Sequence, residues 1–131
     1  MLRAMTRLAN KVAVITGGNS GIGLAAAQLF VAEGAQVVIQ GRDEATLRAA
    51  AEKLGPSALA VRGDISRLAD LEQLYARTVE KFGKVDVVFA NAGVALLRTA
   101  ETSDEAFFDQ VVSINFKGTY FTVPTWPPVP H

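Results

Sequence analysis

Residues 11–23 read KVAVITGGNSGIG, and this stretch determines the fold that we expect for the rest of the chain. Its first six residues form a short, β-branched run that is typical of a buried strand. Four glycines follow within residues 17–23, and residues 22–32 are rich in Ala, Leu and Phe before Gly34 ends the pattern. A strand, a glycine-rich loop and a helix in this order bring backbone N–H groups and the positive end of a helix together, which favours an anion such as a diphosphate. A glycine-rich turn that only packs the helix against the strand is the alternative.

The same alternation of apolar runs and helical periodicity continues along the chain. The sequence predicts further strands and helices at residues 36–40, 43–54, 58–62, 68–82, 85–90 and 104–121, with Asp43 as a helix cap. Strands that are continuously apolar and separated by helices indicate a parallel sheet covered on both faces. With right-handed crossovers, we expect a doubly wound α/β sheet of order 3-2-1-4, whose ligand crevice lies beyond the carboxyl ends of strands 1 and 4.

Composition and charge exclude several classes of function. The 131 residues suffice for one domain, and thirteen Lys and Arg balance thirteen Asp and Glu, so no positive field favours nucleic acid. The chain has no Cys and one His, which excludes a thiolate or His-based zinc site, and we predict no metal. No apolar run approaches the roughly 18 residues of a membrane helix. We expect a cytoplasmic protein that binds neither nucleic acid nor membrane.

Three motifs at the expected crevice resemble a known family. They are TGGNSGIG at residues 16–23, Asn-Ala-Gly at residues 91–93, and Asn115 within SINFKG at residues 113–118. Over residues 8–123 the sequence resembles the short-chain dehydrogenase/reductase family. That resemblance implies a single Rossmann-type domain that binds NAD or NADP and transfers hydride between the nicotinamide and an alcohol or carbonyl carbon. The substrate would be a small alcohol or carbonyl compound, and the sequence does not identify it.

The resemblance also implies which residues bind the cofactor. The glycine-rich loop would line the diphosphate, residues 91–93 would border the ribose, and Asp64 would contact the adenine ring. The complete set of implied cofactor-binding residues is Gly17, Asn19, Ser20, Gly21, Ile22, Gly23, Arg42, Asp64, Ile65, Asn91, Ala92 and Gly93.

The end of the second strand bears on the choice between NADP and NAD. A carboxylate there would accept hydrogen bonds from the ribose 2'-hydroxyl of NAD, whereas an Arg would pair with the 2'-phosphate of NADP. Here Gly41 stands where NAD-preferring relatives carry the acid, and Arg42 follows it. The sequence therefore favours NADP, with NAD as the alternative. In the competing interpretation, Arg42 is only a solvated surface residue and Asp43 is only a helix cap.

The catalytic residues of the family are mostly missing from these 131 residues. The family uses a Tyr as proton donor with a Lys four residues later, and a Ser on the preceding strand. Here Tyr75 is followed by Val79 and Tyr120 by Pro124, so neither tyrosine matches, and Lys117 falls on a variable position. Asn115 is the one catalytic position of the family that is present. We therefore expect this polypeptide to be inactive alone. The alternatives to an oxidoreductase are a non-catalytic NADP-binding module and a degenerate truncated product.

The carboxyl-terminal residues break the pattern. Four of the five prolines fall in residues 124–131, which cannot continue a helix. We predict an incomplete Rossmann domain at residues 1–123 and a proline-rich tail at residues 124–131 that does not resemble the family. In this arrangement the fourth strand becomes an open apolar edge, so we expect self-association into a homo-oligomer.

Overall fold

The computed structural model describes residues 7–93 and 99–123 of the chain. Within these ranges strands and helices alternate from Val12 onward, as the apolar pattern predicts. In chain order they are β1 (Val12–Thr16), α1 (Gly21–Ala32), β2 (Gln36–Gly41), α2 (Glu44–Leu54), β3 (Ala58–Arg62), α3 (Leu68–Phe82), β4 (Val87–Ala90), α4 (Glu105–Val112), a π-helical segment (Ser113–Gly118) and α5 (Thr119–Thr122).

The four strands form one parallel sheet of order β3-β2-β1-β4, which confirms the predicted topology. In the register of the sheet, Val14 of β1 pairs with Val38 of β2 on one side and with Val88 of β4 on the other. All five residues of β1 are buried, as expected for a central strand that is covered on both faces. The carboxyl ends of β1, β2 and β4 therefore meet at one edge of the sheet.

Helices cover the two faces of the sheet and form two separate hydrophobic clusters. Helices α1 and α2 pack against one face, and α3 with the π-helical segment packs against the other. The buried members of the first cluster are Ile15, Ala27, Ala35, Val37, Ile39, Leu47, Ala50 and Leu54. Those of the second are Val14, Val38, Val61, Ile65, Leu71, Leu74, Tyr75 and Ile114. This two-sided burial fixes the positions of the loops at the carboxyl edge.

Strand β4 begins two residues later than the apolar pattern predicts. The carboxylate of Asp86 accepts a hydrogen bond from the N–H of Val12 at 2.8 Å, and the N–H of Asp86 donates to the Val12 carbonyl at 2.8 Å. Lys84 forms an ion pair with the same carboxylate at 3.1 Å. These bonds join the start of β4 to β1 through a side chain, so the regular strand pairing begins only at Val87.

The last predicted helix is interrupted rather than continuous. Its first turn is capped by Asp104, whose carboxylate accepts a hydrogen bond from the Phe107 N–H at 2.8 Å. The helix then widens into the π-helical segment before α5. A Cβ on Gly118 would lie 2.9 Å from the carbonyl oxygen of Ile65, so the backbone approaches the loop after β3 closely here. This tertiary contact has no local signature in the sequence.

Three further features concern membrane helices, the outer side of β4 and the carboxyl-terminal residues. No helix within residues 7–93 and 99–123 is both long and apolar enough to cross a membrane. In that part of the chain β4 pairs with β1 alone, and its four residues are half-buried. The predicted proline-rich tail, residues 124–131, lies outside the described residues.

Candidate cofactor-binding site

A cleft of about 360 Å³ opens at the carboxyl edge of the sheet. Its position is where the order 3-2-1-4 places the ligand crevice, and its volume falls within the roughly 300–1,000 Å³ of typical ligand pockets. The cleft is lined by Gly17, Asn19, Ser20, Gln40, Gly41, Arg42, Asp43, Gly63, Asp64, Ile65, Asn91, Ala92, Gly93 and Ile114.

The glycine-rich loop after β1 is packed too closely for side chains. Gly17 has a φ of 69°, and a Cβ there would lie 2.9 Å from the Cα of Ala92. A Cβ on Gly23 would lie 2.2 Å from the carbonyl oxygen of Gly17. Both distances are shorter than real Cβ contacts, so each position requires glycine. The loop consequently brings bare backbone to the wall of the cleft.

The amino-terminal end of α1 lies at this loop with its positive charge uncompensated. Ser20 is the N-cap residue, but its side chain makes no capping hydrogen bond, and the first turn contains no acidic residue. Helix N–H groups without intrahelical partners and the helix dipole both favour an anion at such a position. This arrangement suits a diphosphate.

Thr16, the first residue of the TGGNSGIG motif, to which the sequence assigned no role of its own, joins the glycine-rich loop to the loop after β4. Its Oγ1 accepts hydrogen bonds from the N–H groups of Asn91 and Ala92, both at 3.1 Å. The Asn91 side chain also donates to the Gly17 carbonyl at 3.4 Å. The two loops are therefore held together across the end of β1. A hydroxyl residue at the end of an apolar strand is the signal that could have identified Thr16.

Asp64 lies in the wall of the cleft that β3 supplies, and its carboxylate is held in the ionised form. Partial burial acts to raise its pKa, but hydrogen bonds from the hydroxyl and the N–H of Ser66, at 2.7 and 2.9 Å, lower it. The charges of Arg42 and Arg67 lower the pKa further, so that the net shift is downward. The carboxylate is thus a fixed negative acceptor beside the cleft.

The residues at the end of β2 present an arginine and a carboxylate that caps the next helix. Asp43 caps α2 by accepting a hydrogen bond from the Thr46 N–H at 3.1 Å. A Cβ on Gly41 would lie 2.7 Å from the Cγ of Asn19, whose amide donates to the Thr46 hydroxyl at 2.8 Å. The Asn19 side chain therefore occupies the space that a larger residue at position 41 would need. Arg42 is exposed and lines the cleft.

The π-helical segment brings Asn115 to the loop that follows β4. A Cβ on Gly93 would lie 3.0 Å from the Oδ1 of Asn115. The neighbouring Ile114 is buried and lines the cleft. π-Helical turns are rare and occur frequently at functional sites, because they redirect side chains out of the regular helix. Here the turn places the predicted catalytic asparagine beside residues 91–93.

The structure gathers most, but not all, of the predicted cofactor-binding residues around the cleft. Those that line it are Gly17, Asn19, Ser20, Arg42, Asp64, Ile65, Asn91, Ala92 and Gly93. Gly21 and Gly23 lie in the first turn of α1 instead, and the Ile22 side chain beside them is 74% exposed. The cleft also includes Gln40, Gly63 and Ile114, which the sequence did not indicate. Across residues 7–93 and 99–123, no cluster of three or more His, Cys, Asp or Glu is placed to hold a metal.

The chemistry of the cleft fits a nicotinamide dinucleotide. A backbone cradle that any Cβ would fill lies beside the open end of α1, as a diphosphate requires. Arg42 supplies a positive charge at one end of the cleft, and Asp64 supplies an acceptor.

Comparisons with known proteins agree with this geometry. Residues 11–128 match the family model described as short chain dehydrogenase. An oxidoreductase of Sarocladium schorii is 44% identical, and the match covers 93% of this chain and 49% of that protein. Galactitol 2-dehydrogenase of Agrobacterium fabrum is 40% identical, and the match covers 88% of this chain and 45% of that protein. The structure of a 3-ketoacyl-(acyl-carrier-protein) reductase from Brucella melitensis, complexed with NADH, superposes with a TM-score of 0.85 at 41% identity, covering 89% of this chain and 49% of that one. The chain thus spans about half the length of these relatives.

Proposed function

The chain belongs to the short-chain dehydrogenase/reductase family, and from that premise we propose that it is the cofactor-binding half of an oxidoreductase that transfers hydride between a nicotinamide and an alcohol or carbonyl carbon. The observation that carries this proposal is the cleft at the carboxyl edge of the sheet, which the glycine-rich loop and residues 91–93 line, with Asn115 beside Gly93. When bound, the nicotinamide supplies the hydride.

Each wall of the cleft has a separate task in this proposal. The backbone at Gly17 and the open end of α1 bind the diphosphate, and the loop held by Thr16 borders the ribose. Asp64 accepts a hydrogen bond from the base. Asn115, which lies beside Gly93, would help to position the reacting groups.

We further propose that the cofactor is NADP rather than NAD. The support is local: Asp43 is engaged in capping α2, and the Asn19 side chain occupies the space beside Gly41. Position 41, where an acid would accept from a ribose 2'-hydroxyl, is thus a glycine without room for a larger residue, whereas Arg42 is exposed and suited to a 2'-phosphate. The NADH in the Brucella melitensis reductase belongs to that protein. NAD remains the alternative for this chain.

The proposals for the substrate class and for the cellular compartment are more general. Galactitol 2-dehydrogenase and 3-ketoacyl-(acyl-carrier-protein) reductase are named for very different compounds, so we assign only an alcohol or carbonyl substrate. The absence of cysteine from the 131 residues favours a reducing compartment, and we propose the cytoplasm.

The test is to measure binding and turnover separately. We expect NADPH to raise the melting temperature of the 131-residue chain, and NADH to do so less. We expect no oxidation of NADPH with a panel of carbonyl compounds, because neither Tyr75 nor Tyr120 is followed by Lys four residues later. Robust turnover by a chain of verified mass would contradict the assignment of the tyrosines, and absence of binding would contradict the proposed function.

A non-catalytic NADP-binding module is the second candidate, because the cleft would bind the cofactor in the same way in such a protein. Both candidates predict binding without turnover for this polypeptide. The coding DNA beyond the codon for Val123 separates them. A reading frame that encodes a strand with Ser, followed by Tyr-x-x-x-Lys, supports the oxidoreductase, and its absence supports the module.

A further inference from the structure

Gly41, the last residue of β2, is a glycine for lack of space and not for its conformation. It pairs with Arg62 of β3 as part of the sheet, and it is not among the glycines with a positive φ. Any L-residue can adopt such a backbone. A Cβ at position 41 would nevertheless lie 2.7 Å from the Cγ, 2.8 Å from the Oδ1 and 2.9 Å from the Nδ2 of Asn19. The carboxamide of Asn19 therefore excludes a side chain from position 41.

The carboxamide of Asn19 is fixed at its outer end by Thr46. Its Nδ2 donates a hydrogen bond to the Thr46 Oγ1 at 2.8 Å. Thr46 is held in turn by Asp43, whose carboxylate accepts from the Thr46 N–H at 3.1 Å and whose carbonyl accepts from the Thr46 hydroxyl at 3.2 Å. The hydroxyl thus accepts one hydrogen bond and donates another, as a single hydroxyl can. The Asn19 side chain cannot rotate away from Gly41 without breaking its bond to Thr46.

The backbone that precedes Asn19 is fixed as well. The carbonyl of Gln40 accepts hydrogen bonds from the N–H groups of Gly17 at 2.8 Å and Gly18 at 3.2 Å. A Cβ on Gly18 would lie 2.5 Å from the Cγ2 of Ile39, so this backbone lies directly on β2. Because the loop is bonded to the carbonyl just before the last residue of β2, it cannot withdraw from the end of that strand. Both the main chain and the side chain at position 19 are therefore held in place.

We propose that Asn19 is a specificity-determining residue, which keeps position 41 free of a side chain and so free of the carboxylate that would select NAD. This inference rests on the proposed function. A carboxylate at position 41 would bond to the ribose 2'-hydroxyl of NAD and repel the 2'-phosphate of NADP. Asn19 and Arg42 both line the cleft, but Asn19 affects the choice of cofactor through Gly41. Thr46 is a positioning residue for Asn19.

The experiment measures whether position 41 accepts a carboxylate only when Asn19 is truncated. Gly41→Asp is made in the full 131-residue wild type and in Asn19→Ala, which removes the three atoms that block position 41. Binding of NADH and of NADPH to all four chains is followed by nicotinamide fluorescence. Because each comparison is made within one background, any direct contact between Asn19 and the cofactor cancels. Gln73→Ala, which truncates an exposed carboxamide on α3, is the matched control background.

We expect the effect of Gly41→Asp on NADH binding to change sign between the backgrounds. In the wild type and in Gln73→Ala it should weaken NADH binding about fivefold or more, because overpacking distorts the glycine-rich loop. In Asn19→Ala it should strengthen NADH binding about tenfold, as a charge-assisted hydrogen bond to the ribose implies. NADPH binding should weaken in every background, because the carboxylate repels the 2'-phosphate.

Thr46→Val tests the hydrogen bond that holds Asn19 in place. It removes the hydroxyl and retains the N–H that donates to the Asp43 carboxylate. In this background Gly41→Asp should weaken NADH binding less than it does in the wild type, because the Asn19 side chain is free to turn aside. An effect as large as in the wild type would overturn the positioning role of Thr46.

Melting temperatures without nucleotide test the contact independently of binding. Gly41→Ala should lower the melting temperature of the wild type by about 4 °C or more. In the Asn19→Ala background it should leave the melting temperature unchanged or raise it, because alanine restricts the unfolded chain. A Gly41→Asp chain that folds only together with Asn19→Ala also supports the contact, and its NADH affinity is then compared with that of Asn19→Ala alone.

The opposite results distinguish this role from the proposed function. Equal shifts in melting temperature by Gly41→Ala in the two backgrounds, or an effect of Gly41→Asp on NADH binding of the same sign in both, would overturn the role of Asn19 and leave the proposed function intact. Failure of the wild type to bind either nucleotide would overturn the proposed function and the role of Asn19 with it. The melting temperatures would still decide whether Asn19 excludes a side chain from position 41.

Discussion

The phenol of Tyr75 donates a hydrogen bond to the backbone carbonyl of Thr122, and this bond joins α3 to α5. Tyr75 is 3% exposed and Thr122 is fully buried, so the pair lies inside the second hydrophobic cluster rather than at the cleft. Tyr75 lies on the buried face of α3. The Thr122 hydroxyl in turn donates to the Gly118 carbonyl at 2.7 Å, which extends the contact to the end of the π-helical segment.

Replacing Tyr75 by Phe should destabilise the chain by about 1–2 kcal/mol, because the buried carbonyl of Thr122 loses its donor. The same variant should change the alkaline stability. Burial raises the pKa of Tyr75 above the usual value of about 10, so the unfolded chain releases the phenol proton at a lower pH than the folded chain does. The contribution of the Tyr75 phenol to the free energy of unfolding is therefore fully present below about pH 10 and decreases as the pH rises further.

Urea unfolding of the wild type and Tyr75→Phe between about pH 8 and pH 11 checks this prediction. The difference in unfolding free energy between the two should be constant up to about pH 10 and then shrink. A difference that does not change with pH would show that the phenol titrates alike in both states.

The charge on Asp86 should stabilise the junction between β1 and β4. Burial opposes the ionised form, but the Val12 N–H, the hydrogen bond from Lys84 and the charges of Lys84 and Lys11 lower the pKa of Asp86 overall. Stability from a lowered carboxyl pKa is present above about pH 4 and is lost as the pH falls below it. Asp86→Asn should therefore cost about 0.5–1 kcal/mol near neutral pH and progressively less in acid.

The control for this prediction is Asp86→Ala, which also removes the acceptor for Val12. That variant leaves a buried N–H without a partner and should cost about 1–3 kcal/mol more than Asp86→Asn does, both at neutral pH and in acid. Denaturation curves at neutral pH and near pH 3 distinguish the two. Equal losses for the two variants would assign the whole effect to the charge and none to the hydrogen bond.

A single methyl group on Gly23 should disrupt both the fold and the cleft. Gly23→Ala would place a Cβ 2.2 Å from the Gly17 carbonyl oxygen, and neither backbone can move without displacing α1 or the loop. We expect a loss of about 2–3 kcal/mol, as is typical of overpacking, together with loss of the stabilisation by NADPH. Ala25→Ser adds one heavy atom at an exposed position of the same helix, and it should change stability by no more than about 0.5 kcal/mol. Thermal melts with and without NADPH measure both effects, and a Gly23→Ala chain as stable as the control would refute the contact.

These residues also show how far sequence reasoning reaches. The strand order and the glycine-rich loop follow from patterns along the chain. Strands that are buried on both faces are continuously apolar, and a backbone that must be approached closely consists of glycine. The late start of β4 and the widening of the helix at Ser113–Gly118 do not, because they depend on Asp86 meeting Val12 and on Gly118 meeting Ile65. The contacts of Thr16 were not predicted for a related reason. It is one polar residue at the end of an apolar strand, and its hydrogen bonds to Asn91 and Ala92 appear only when the loop after β4 is placed beside it.

The open edge of β4 should cause self-association. Within the described residues this strand pairs only with β1, so its outer backbone groups are available to another strand. We expect the mass measured by light scattering to rise with protein concentration. Val87→Lys should reduce the rise, because a charge at an edge strand discourages pairing. Phe116→Lys, on an exposed aromatic residue of the π-helical segment, is the comparison. A larger effect of Phe116→Lys, or a monomer at all concentrations, would contradict association through β4.

The choice between NADP and NAD should depend on Arg42. Truncating it to Ala removes the guanidinium at the end of β2, and charge-assisted bonds to a phosphate are worth about 1.5–3 kcal/mol. We therefore expect Arg42→Ala to weaken NADPH binding by about tenfold or more and to leave NADH binding unchanged. Arg48→Ala is the matched control, since Arg48 is an exposed arginine on α2 that pairs with Glu44 at 3.2 Å. Titrations of both nucleotides at low and high salt measure the effect, and the difference should shrink with salt because the contact is exposed. Equal weakening of NADPH and NADH by Arg42→Ala would indicate that Arg42 does not distinguish the 2'-phosphate.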